Sequence, residues 1–315
     1  MDEIQNWLAT TSYKDADITV ASADASFRKY YRLTLENKTF LLMDASLEKS
    51  SLQPFLDVTQ RLRKAGVNAP KVLEQNIELG YLIIEDFGSL HYLDLLNEEN
   101  FQELYRDAMR EILKMQRADA SKLPLYDEKF LLFEMGLMEE WYIQGLLNKE
   151  LTTKQKETIE TTLHTIANVV LEQPQGYFVH RDYHSRNIMR TKEKTIGVID
   201  YQDAMSGAIT YDLVSLLKDC YVSFDADAIN SLALEFKTTA GVDASDTEFL
   251  RWFDFMGMQR HIKVLGVFAR LHLRDGKDGY LKDIPLVLDY TLKAAHKYQE
   301  TKQLAQLLEE LTCEQ

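Results

Sequence analysis

The 315-residue sequence is poor in glycine, proline and cysteine. Its 13 glycines and 5 prolines fall well below the combined average of about 12% for these two types, which predicts a helix-rich fold with few long loops. Its two cysteines, Cys220 and Cys313, lie far apart and outside any Cys-x-x-Cys or Cys/His cluster, so a disulfide framework and a structural zinc site are not supported. The sequence also lacks a run of about 18 apolar residues, which disfavours a membrane span.

Positive charge is scarce as well. The 36 lysines and arginines face 50 aspartates and glutamates, and the formal net charge of −14 disfavours a nucleic-acid binder. The acidic N-terminus is followed by no apolar signal-peptide core, which predicts a cytoplasmic protein. With 45% hydrophobic and 27% charged residues the chain is typical of a folded globular protein, and its length suggests two domains. No feature indicates an obligate protein partner.

Patterns of apolar residues predict an α+β fold with two lobes. Residues 1–88 alternate like strands at 18–21, 29–35, 39–43, 71–74 and 81–84, with one amphipathic helix at 51–65. Residues 89–315 show mainly helical spacing, at 100–118, 130–147, 153–171, 211–220, 249–273 and 290–311. We therefore expect a small antiparallel β-sheet lobe with one main helix, a hinge at 85–88, and a larger, mostly helical lobe.

One segment of the second lobe combines a short apolar run with a dense polar cluster. His180-Arg181-Asp182 is followed by Asn187 at the spacing of a phosphoryl-transfer catalytic loop, in which the aspartate accepts the hydroxyl proton and the asparagine binds magnesium. The alternative interpretation is a solvated loop with internal ion pairs. His184, taken alone, is more typical of a structural hydrogen-bonding histidine than of a catalyst.

The residues after this loop add a second metal ligand. Residues 188–190 and 195–199 flank the polar turn 191–194, and folding this hairpin brings Asp200 beside Asn187. A carboxylate and an amide oxygen suit Mg²⁺ that is held jointly with nucleotide phosphates. Asp203 is a candidate for an outer or second-metal carboxylate. We expect Asp182, Asn187 and Asp200 to converge at a cleft between the lobes.

The strings VHRDYHSRN and VIDYQDAMSGAITYDLVSL resemble the aminoglycoside phosphotransferase and choline kinase superfamily, which has a protein-kinase-like fold. ASFRKYYRL, FLLMDAS, ITYDLVSLLKDCY and LGVFARLHLRDGK look like the bacterial anomeric N-acetylmuramate/N-acetylglucosamine kinase group. The resemblance covers nearly the whole chain. It implies a kinase that uses ATP or GTP with Mg²⁺, with a catalytic loop at 180–187 and a metal loop at 199–203.

The resemblance also implies roles for single residues. Asp182 is the base, Asn187 and Asp200 hold the metal, and His180, Arg181 and Asp203 support them. Asp212 caps its helix and braces the catalytic loop, a position that also suits a helix-start acceptor. In the hinge, which includes Glu85, the main chain of Asp86 and Phe87 meets the adenine edge.

The sequence departs from this pattern at the nucleotide phosphates. The expected phosphate loop, 21–27, contains no glycine, so contact there depends on Ser26, Phe27 and backbone amides. Met43 stands where the superfamily has its phosphate-binding lysine, and a thioether cannot neutralise phosphate charge. Arg28 is the first candidate for a replacement cation and Arg32 the second.

A local excess of positive charge favours an anionic or neutral acceptor over a polycationic one. It lies between 260 and 282, where Arg260, Lys263 and Arg270 are candidate substrate-binding residues, although a solvated helix face would give the same pattern. The leading hypothesis is transfer of a phosphoryl group to a sugar hydroxyl, with N-acetylmuramate or N-acetylglucosamine as acceptor at C1. Aminoglycoside, choline or other metabolite kinases are alternatives, and a catalytically silent nucleotide-binding scaffold is an alternative of another class.

Overall fold

A five-stranded antiparallel sheet forms the centre of the first of two units, in a computed structural model that describes residues 1–23 and 28–313. This unit comprises Met1–Tyr92 and Asn187–Asp203. Its strands, in the spatial order β1-β2-β3-β5-β4, are β1 (Asp17–Ala23), β2 (Lys29–Leu35), β3 (Lys38–Asp44), β4 (Val72–Asn76) and β5 (Tyr81–Glu85). The five predicted strands are confirmed.

The two faces of this sheet have different surroundings. Leu33, Leu42 and Ile83 are fully buried on one face, where Trp7 of the short helix α1 (Asp2–Leu8) packs in the same apolar cluster. Successive side chains of a strand point to opposite faces, so Leu41 points away from this cluster. Leu41 lines the cavity described below.

The helix α2 (Leu52–Lys64) confirms the predicted amphipathic helix at 51–65. Its apolar positions, among them Leu52, Phe55 and Leu62, are buried, and Gly66 follows with a φ of 83° that favours glycine.

The predicted hairpin is also confirmed. Its strands β7 (Ile188–Arg190) and β8 (Ile196–Val198) pair in the register Ile188 with Val198. Gly197 lies against the ring of Phe87, and a Cβ at this position would collide with that ring. The hairpin packs within the first unit, together with residues up to Asp203, although the sequence-based division assigned 199–203 to the second lobe. The functional division into 1–88 and 89–315 stays a prediction.

The second unit, Leu93–Arg186 and Ala204–Gln315, is mostly helical in the residues that the structure describes. Its two-stranded sheet pairs β6 (Tyr177–Val179) with β9 (Met205–Gly207). Its helices are α3 (Phe101–Met115), α4 (Glu128–Leu137), a π-helical continuation (Met138–Leu146), α5 (Thr153–Glu172), α6 (Tyr211–Leu217), α7 (Ala226–Ala240), α8 (Asp246–Leu273), α9 (Ile284–Lys297) and α10 (Lys302–Thr312).

Two features of the helices differ from the predictions. The prediction of a single helix at 290–311 is wrong, because α9 ends at Lys297 and α10 begins at Lys302. In the turn between them the buried Thr301 hydroxyl donates to the carbonyl of Ala295 at 2.8 Å. Helix α7 was not predicted, although Asp225 caps its first turn and Gly241 ends it with a φ of 67°. No helix in the described ranges is long and apolar enough to cross a membrane.

Candidate active site

A cavity of about 220 Å³ opens on the face of the sheet opposite α1. It is lined by strand residues that include Leu41 and Ile84 and by the hairpin residues Met189 and Ile199, so most of its wall is apolar. Asn187 and Asp200 lie at its polar part. A mostly apolar pocket with a few placed polar groups is typical of a small-molecule or cofactor site.

The segment predicted as the hinge forms one wall of this cavity, through Glu85, Phe87 and Gly88. The Asp86 carboxylate points instead to Arg32, at 2.7 Å from its Nε, and accepts a hydrogen bond from the Gly88 amide at 2.9 Å. Burial opposes ionisation of Asp86, but the bonds from Arg32 and Gly88 outweigh it and lower the pKa of this carboxyl. Asp86 thus fixes the segment internally, and Arg32 is engaged in that ion pair.

Met43 is fully buried in β3, where its Sδ accepts a hydrogen bond from the Tyr30 hydroxyl at 3.3 Å. On helix α2, Asp57 pairs with Arg61 at 2.8 Å. Arg28 is buried at the start of β2 and stays the first candidate for the replacement cation. Ser26 and Phe27 lie outside the described residues.

Helix α2 contacts the metal loop through Tyr201 rather than through a lysine ion pair. The Tyr201 ring stacks on Phe55 with 5.3 Å between centroids, and its hydroxyl shares a hydrogen bond of 2.8 Å with the Thr59 hydroxyl. Tyr201 is fully buried and directly follows Asp200. This contact, which the sequence analysis missed, fixes the backbone beside the candidate metal ligand.

Asn187 and Asp200 lie together, as the hairpin predicted. The Asn187 Nδ2 donates to Asp200 Oδ2 at 3.3 Å, and Asp200 has a φ of 65° that is uncommon for a residue with a side chain. Gln202 donates from its Nε2 to Asp200 at 3.0 Å and to Asp203 at 3.3 Å, so one amide links both carboxylates. No group of three or more His, Cys, Asp or Glu side chains suited to a metal occurs in the described ranges. The donor set, one carboxylate and one amide oxygen, fits Mg²⁺ that completes its coordination with water and phosphates.

Asp182 lies in the second unit, on a loop whose backbone is fixed by Asp212. The Asp212 carboxylate, 1% exposed, accepts from the His180 amide at 2.8 Å and from the Arg181 amide at 3.1 Å. Burial raises the pKa of Asp212 although these donors oppose the shift. The predicted brace is observed, but the predicted helix cap is wrong: both bonds of this carboxylate go to the loop, and the preceding Thr210 makes no side-chain capping bond.

The backbone of this loop is strained at Arg181. Arg181 has a φ of 78°, and its carbonyl accepts from Nη1 of Arg260 at 2.8 Å. The Asp182 amide donates to Nδ1 of the buried His180 at 3.3 Å. The side chain of Asp182 is 42% exposed, so its carboxylate reaches solvent.

Cations of the second unit keep Asp182 ionised. Its Oδ1 lies 3.7 Å from Nη1 of Arg260. Burial opposes ionisation, but the charges of Lys263 and Arg260, with a smaller effect from Arg181, outweigh it and hold the pKa of Asp182 well below its ordinary value. The side chain is therefore an anion at neutral pH that can orient a hydroxyl and accept its proton.

Helix α8 supplies two of these cations from inside the protein. Arg260 and Lys263 are 1% and 7% exposed, so their direct contact with substrate stays a prediction, whereas their proximity to the catalytic loop is observed. Arg270 lies on the same helix and is half-buried. The excess of positive charge predicted for residues 260–282 thus includes two buried cations, and their counterions lie on other elements of the chain.

Glu134 of α4 is the principal counterion, and sequence analysis missed it. This buried carboxylate pairs with Arg181, lies 3.6 Å from Nζ of Lys263 and accepts from the Tyr126 hydroxyl. Burial opposes ionisation of Glu134, but Lys263 and Arg181 outweigh it and lower the pKa of this carboxyl. The sequence signal that could have indicated it is a single acidic residue within the apolar stretch 130–138, because a carboxylate there must be buried with a partner.

The sequence profile of the phosphotransferase enzyme family matches residues 17–253, which include both loops described above. The chain belongs to this family. It is 38% identical to the N-acetylmuramate/N-acetylglucosamine kinase of Neisseria meningitidis serogroup B, over 98% of this chain and 95% of that protein. It is also 38% identical to the kinase of the same name from Pseudomonas aeruginosa, over 94% and 89% of the two chains.

Two solved structures share the fold. The ADP-bound aminoglycoside phosphotransferase APH(2'')-Ib has a TM-score of 0.63 at 15% identity and matches 93% of this chain and 98% of its own. A choline/ethanolamine kinase family protein from Mesorhizobium loti has a TM-score of 0.64 at 14% identity, with 96% of each chain covered. The predicted protein-kinase-like α+β fold is confirmed, and the chain is a phosphotransferase that uses a nucleotide donor and a small-molecule acceptor.

Proposed function

We propose that this phosphotransferase transfers the γ-phosphoryl group of ATP or GTP to the anomeric C1 hydroxyl of an N-acetylated amino sugar, N-acetylmuramate or N-acetylglucosamine. The observation that carries the proposal is 38% identity over nearly the full length to kinases named for both sugars. The intact Asp182, Asn187 and Asp200 set supports an active enzyme over a silent scaffold.

In this reaction the acceptor oxygen forms a bond to the γ-phosphorus while the bond from that phosphorus to the bridging oxygen of the nucleotide breaks. Asp182 orients the acceptor hydroxyl and takes its proton, and the diphosphate leaves. Asn187 and Asp200 would hold Mg²⁺, which when bound neutralises the negative charge of the phosphates. The convergence of the three side chains on one substrate is part of the proposal.

The acidity of the anomeric hydroxyl is compatible with Asp182 as the base. A carboxylate with a lowered pKa is a weak base, so it accepts a proton more readily from a more acidic hydroxyl. The C1 hydroxyl is the most acidic hydroxyl of such a sugar, since the ring oxygen withdraws electron density from the same carbon. The cations around Asp182 also disfavour polycationic or quaternary-ammonium acceptors.

The proposal is tested by measuring nucleotide diphosphate release with N-acetylmuramate, N-acetylglucosamine, choline and kanamycin, and by locating the phosphate by NMR of the product. We expect turnover with an amino sugar and phosphate at C1. Asp182→Asn and Asp200→Asn should each lower kcat by at least about 100-fold with the circular dichroism spectrum retained. Asp57→Asn is the matched control, because the ion pair of this carboxylate with Arg61 lies within one helix.

Two results would contradict the proposal. Turnover with choline or kanamycin but with neither sugar would reassign the acceptor. Undiminished turnover in the Asp182 variant would remove that residue from its proposed role.

A further inference from the structure

The catalytic loop carries an accessible cation four residues after Asp182. The side chain of Arg186 is 37% exposed, whereas Arg260 and Lys263 are buried. Its guanidinium carbon lies 3.5 Å from the centroid of the Tyr221 ring. A guanidinium over the face of an aromatic ring is held in place by the cation–π contact, and its planar fork of N–H donors matches a planar carboxylate.

Tyr221 joins this cation to the rest of the loop. The His184 ring meets the Tyr221 ring edge to face, with 5.2 Å between centroids and an interplanar angle of 81°. Burial lowers the pKa of His184 to about 3, so the imidazole is neutral at physiological pH. Its buried Nδ1 has no hydrogen-bond partner among the described residues. Alternate residues of the loop therefore present an anion at 182, a neutral imidazole at 184 and a cation at 186.

Arg186 forms a long ion pair with Asp283, which a closer carboxylate could replace. Asp283 Oδ2 lies 4.0 Å from Nη2 of Arg186, which is beyond hydrogen-bonding distance. Asp283 precedes α9 without making a side-chain capping bond, so the helix does not depend on its carboxylate. A charge-assisted hydrogen bond is shorter and stronger than this contact. A substrate carboxylate at hydrogen-bonding distance from the guanidinium would therefore compete well with Asp283.

We propose that Arg186, supported by Tyr221, binds a carboxylate substituent of the sugar acceptor and thereby sets the preference between anionic and neutral amino sugars. The inference rests on the proposed function. N-acetylmuramate carries a lactyl carboxylate at O3, and N-acetylglucosamine has a hydroxyl there, so the two sugars differ only by the group that Arg186 would read. Arg186 is then a specificity-determining residue, while Asp182 serves both acceptors alike.

The test measures kcat/KM for both sugars in the wild type and in Arg186→Gln. We expect a fall of about 10-fold to 100-fold for N-acetylmuramate, as for the loss of a charge-assisted hydrogen bond, and a change within about threefold for N-acetylglucosamine. Asp283→Asn removes the competing anion and should shift the ratio of the two constants in the opposite direction, toward N-acetylmuramate.

Arg251→Gln is the matched control. This arginine also lies over an aromatic ring, at 4.3 Å from the Phe255 centroid, is 31% exposed and pairs with Glu300, but it lies on the first turns of α8. Its replacement should leave the ratio unchanged.

An equal fall for both sugars in Arg186→Gln would overturn the inference, since it would place the effect on the neighbouring Asn187 or on the loop itself. An unchanged ratio would overturn it as well. Both results leave the proposed function intact, whereas a wild-type protein that phosphorylates neither sugar refutes the proposed function and this inference together.

Discussion

Glu134 is expected to stabilise the second unit more than any surface carboxylate, because it is the buried counterion of the buried Lys263 and of Arg181, which is only 18% exposed. Replacing it with glutamine keeps the size and shape of the side chain but removes the negative charge facing Arg181 and Lys263. Removing one partner of a buried ion pair costs about 3–5 kcal/mol, since the remaining charge stays desolvated. We therefore expect Glu134→Gln to lower the free energy of unfolding by about 3 kcal/mol, a large share of the total for a typical domain.

The assay is equilibrium unfolding in urea followed by circular dichroism, with Glu139→Gln as control. Glu139 is 30% exposed and lies 3.9 Å from Lys156, so its replacement should cost less than about 0.5 kcal/mol. Lys263→Met combined with Glu134→Gln should cost less than the sum of the two single changes, because the double variant leaves fewer unbalanced charges. A loss below about 1 kcal/mol for Glu134→Gln, or strict additivity of the pair, would refute this account.

Two further predictions concern packing and pH. Burial lowers the pKa of His261 to about 3, so below pH 6.5 the unfolded chain binds a proton at this residue that the folded protein does not, and stability falls as pH drops from 6.5 toward 3. His184 has the same effect, so urea unfolding at pH 7 and pH 5 should show a loss of stability that is about 2 kcal/mol smaller in His261→Gln than in the wild type. A Cβ at Gly266 of α8 would collide with the backbone of Leu137, whereas a Cβ at Gly136 meets nothing within 4 Å. Thermal unfolding should therefore show that Gly266→Ala destabilises the protein and that Gly136→Ala stabilises it by about 0.5–1 kcal/mol. Equal effects of the two substitutions would contradict the collision.

Features specified by short stretches of sequence were predicted well. Alternation in 29–43 predicted the β2–β3 pair, and the polar turn at 191–194 predicted the hairpin that joins Asn187 to Asp200. Both depend on neighbours within about 15 residues, where pattern and turn chemistry agree. The spacing from His180 to Asn187 was readable for the same reason.

Features set by contacts between distant residues were not predicted. Glu134 meets a cation 47 residues away, and Tyr201 meets Thr59 across 142 residues. Periodicity reports that a residue faces a core but not which charge it meets there. The break between α9 and α10 was missed because apolar residues recur at helical spacing on both sides of it, and only the buried Thr301 hydroxyl reveals the turn.

The first unit is discontinuous along the chain, and this limits how the protein can be dissected. A fragment ending at Tyr92 would lack the segment that covers Phe87 and the Tyr201 ring that stacks on Phe55, leaving those aromatic surfaces open to water. A minimal fragment of this unit would have to splice 187–203 onto 1–92 through an artificial linker. Library screens that truncate from the C-terminus would consequently find no foldable intermediate corresponding to this unit of the enzyme.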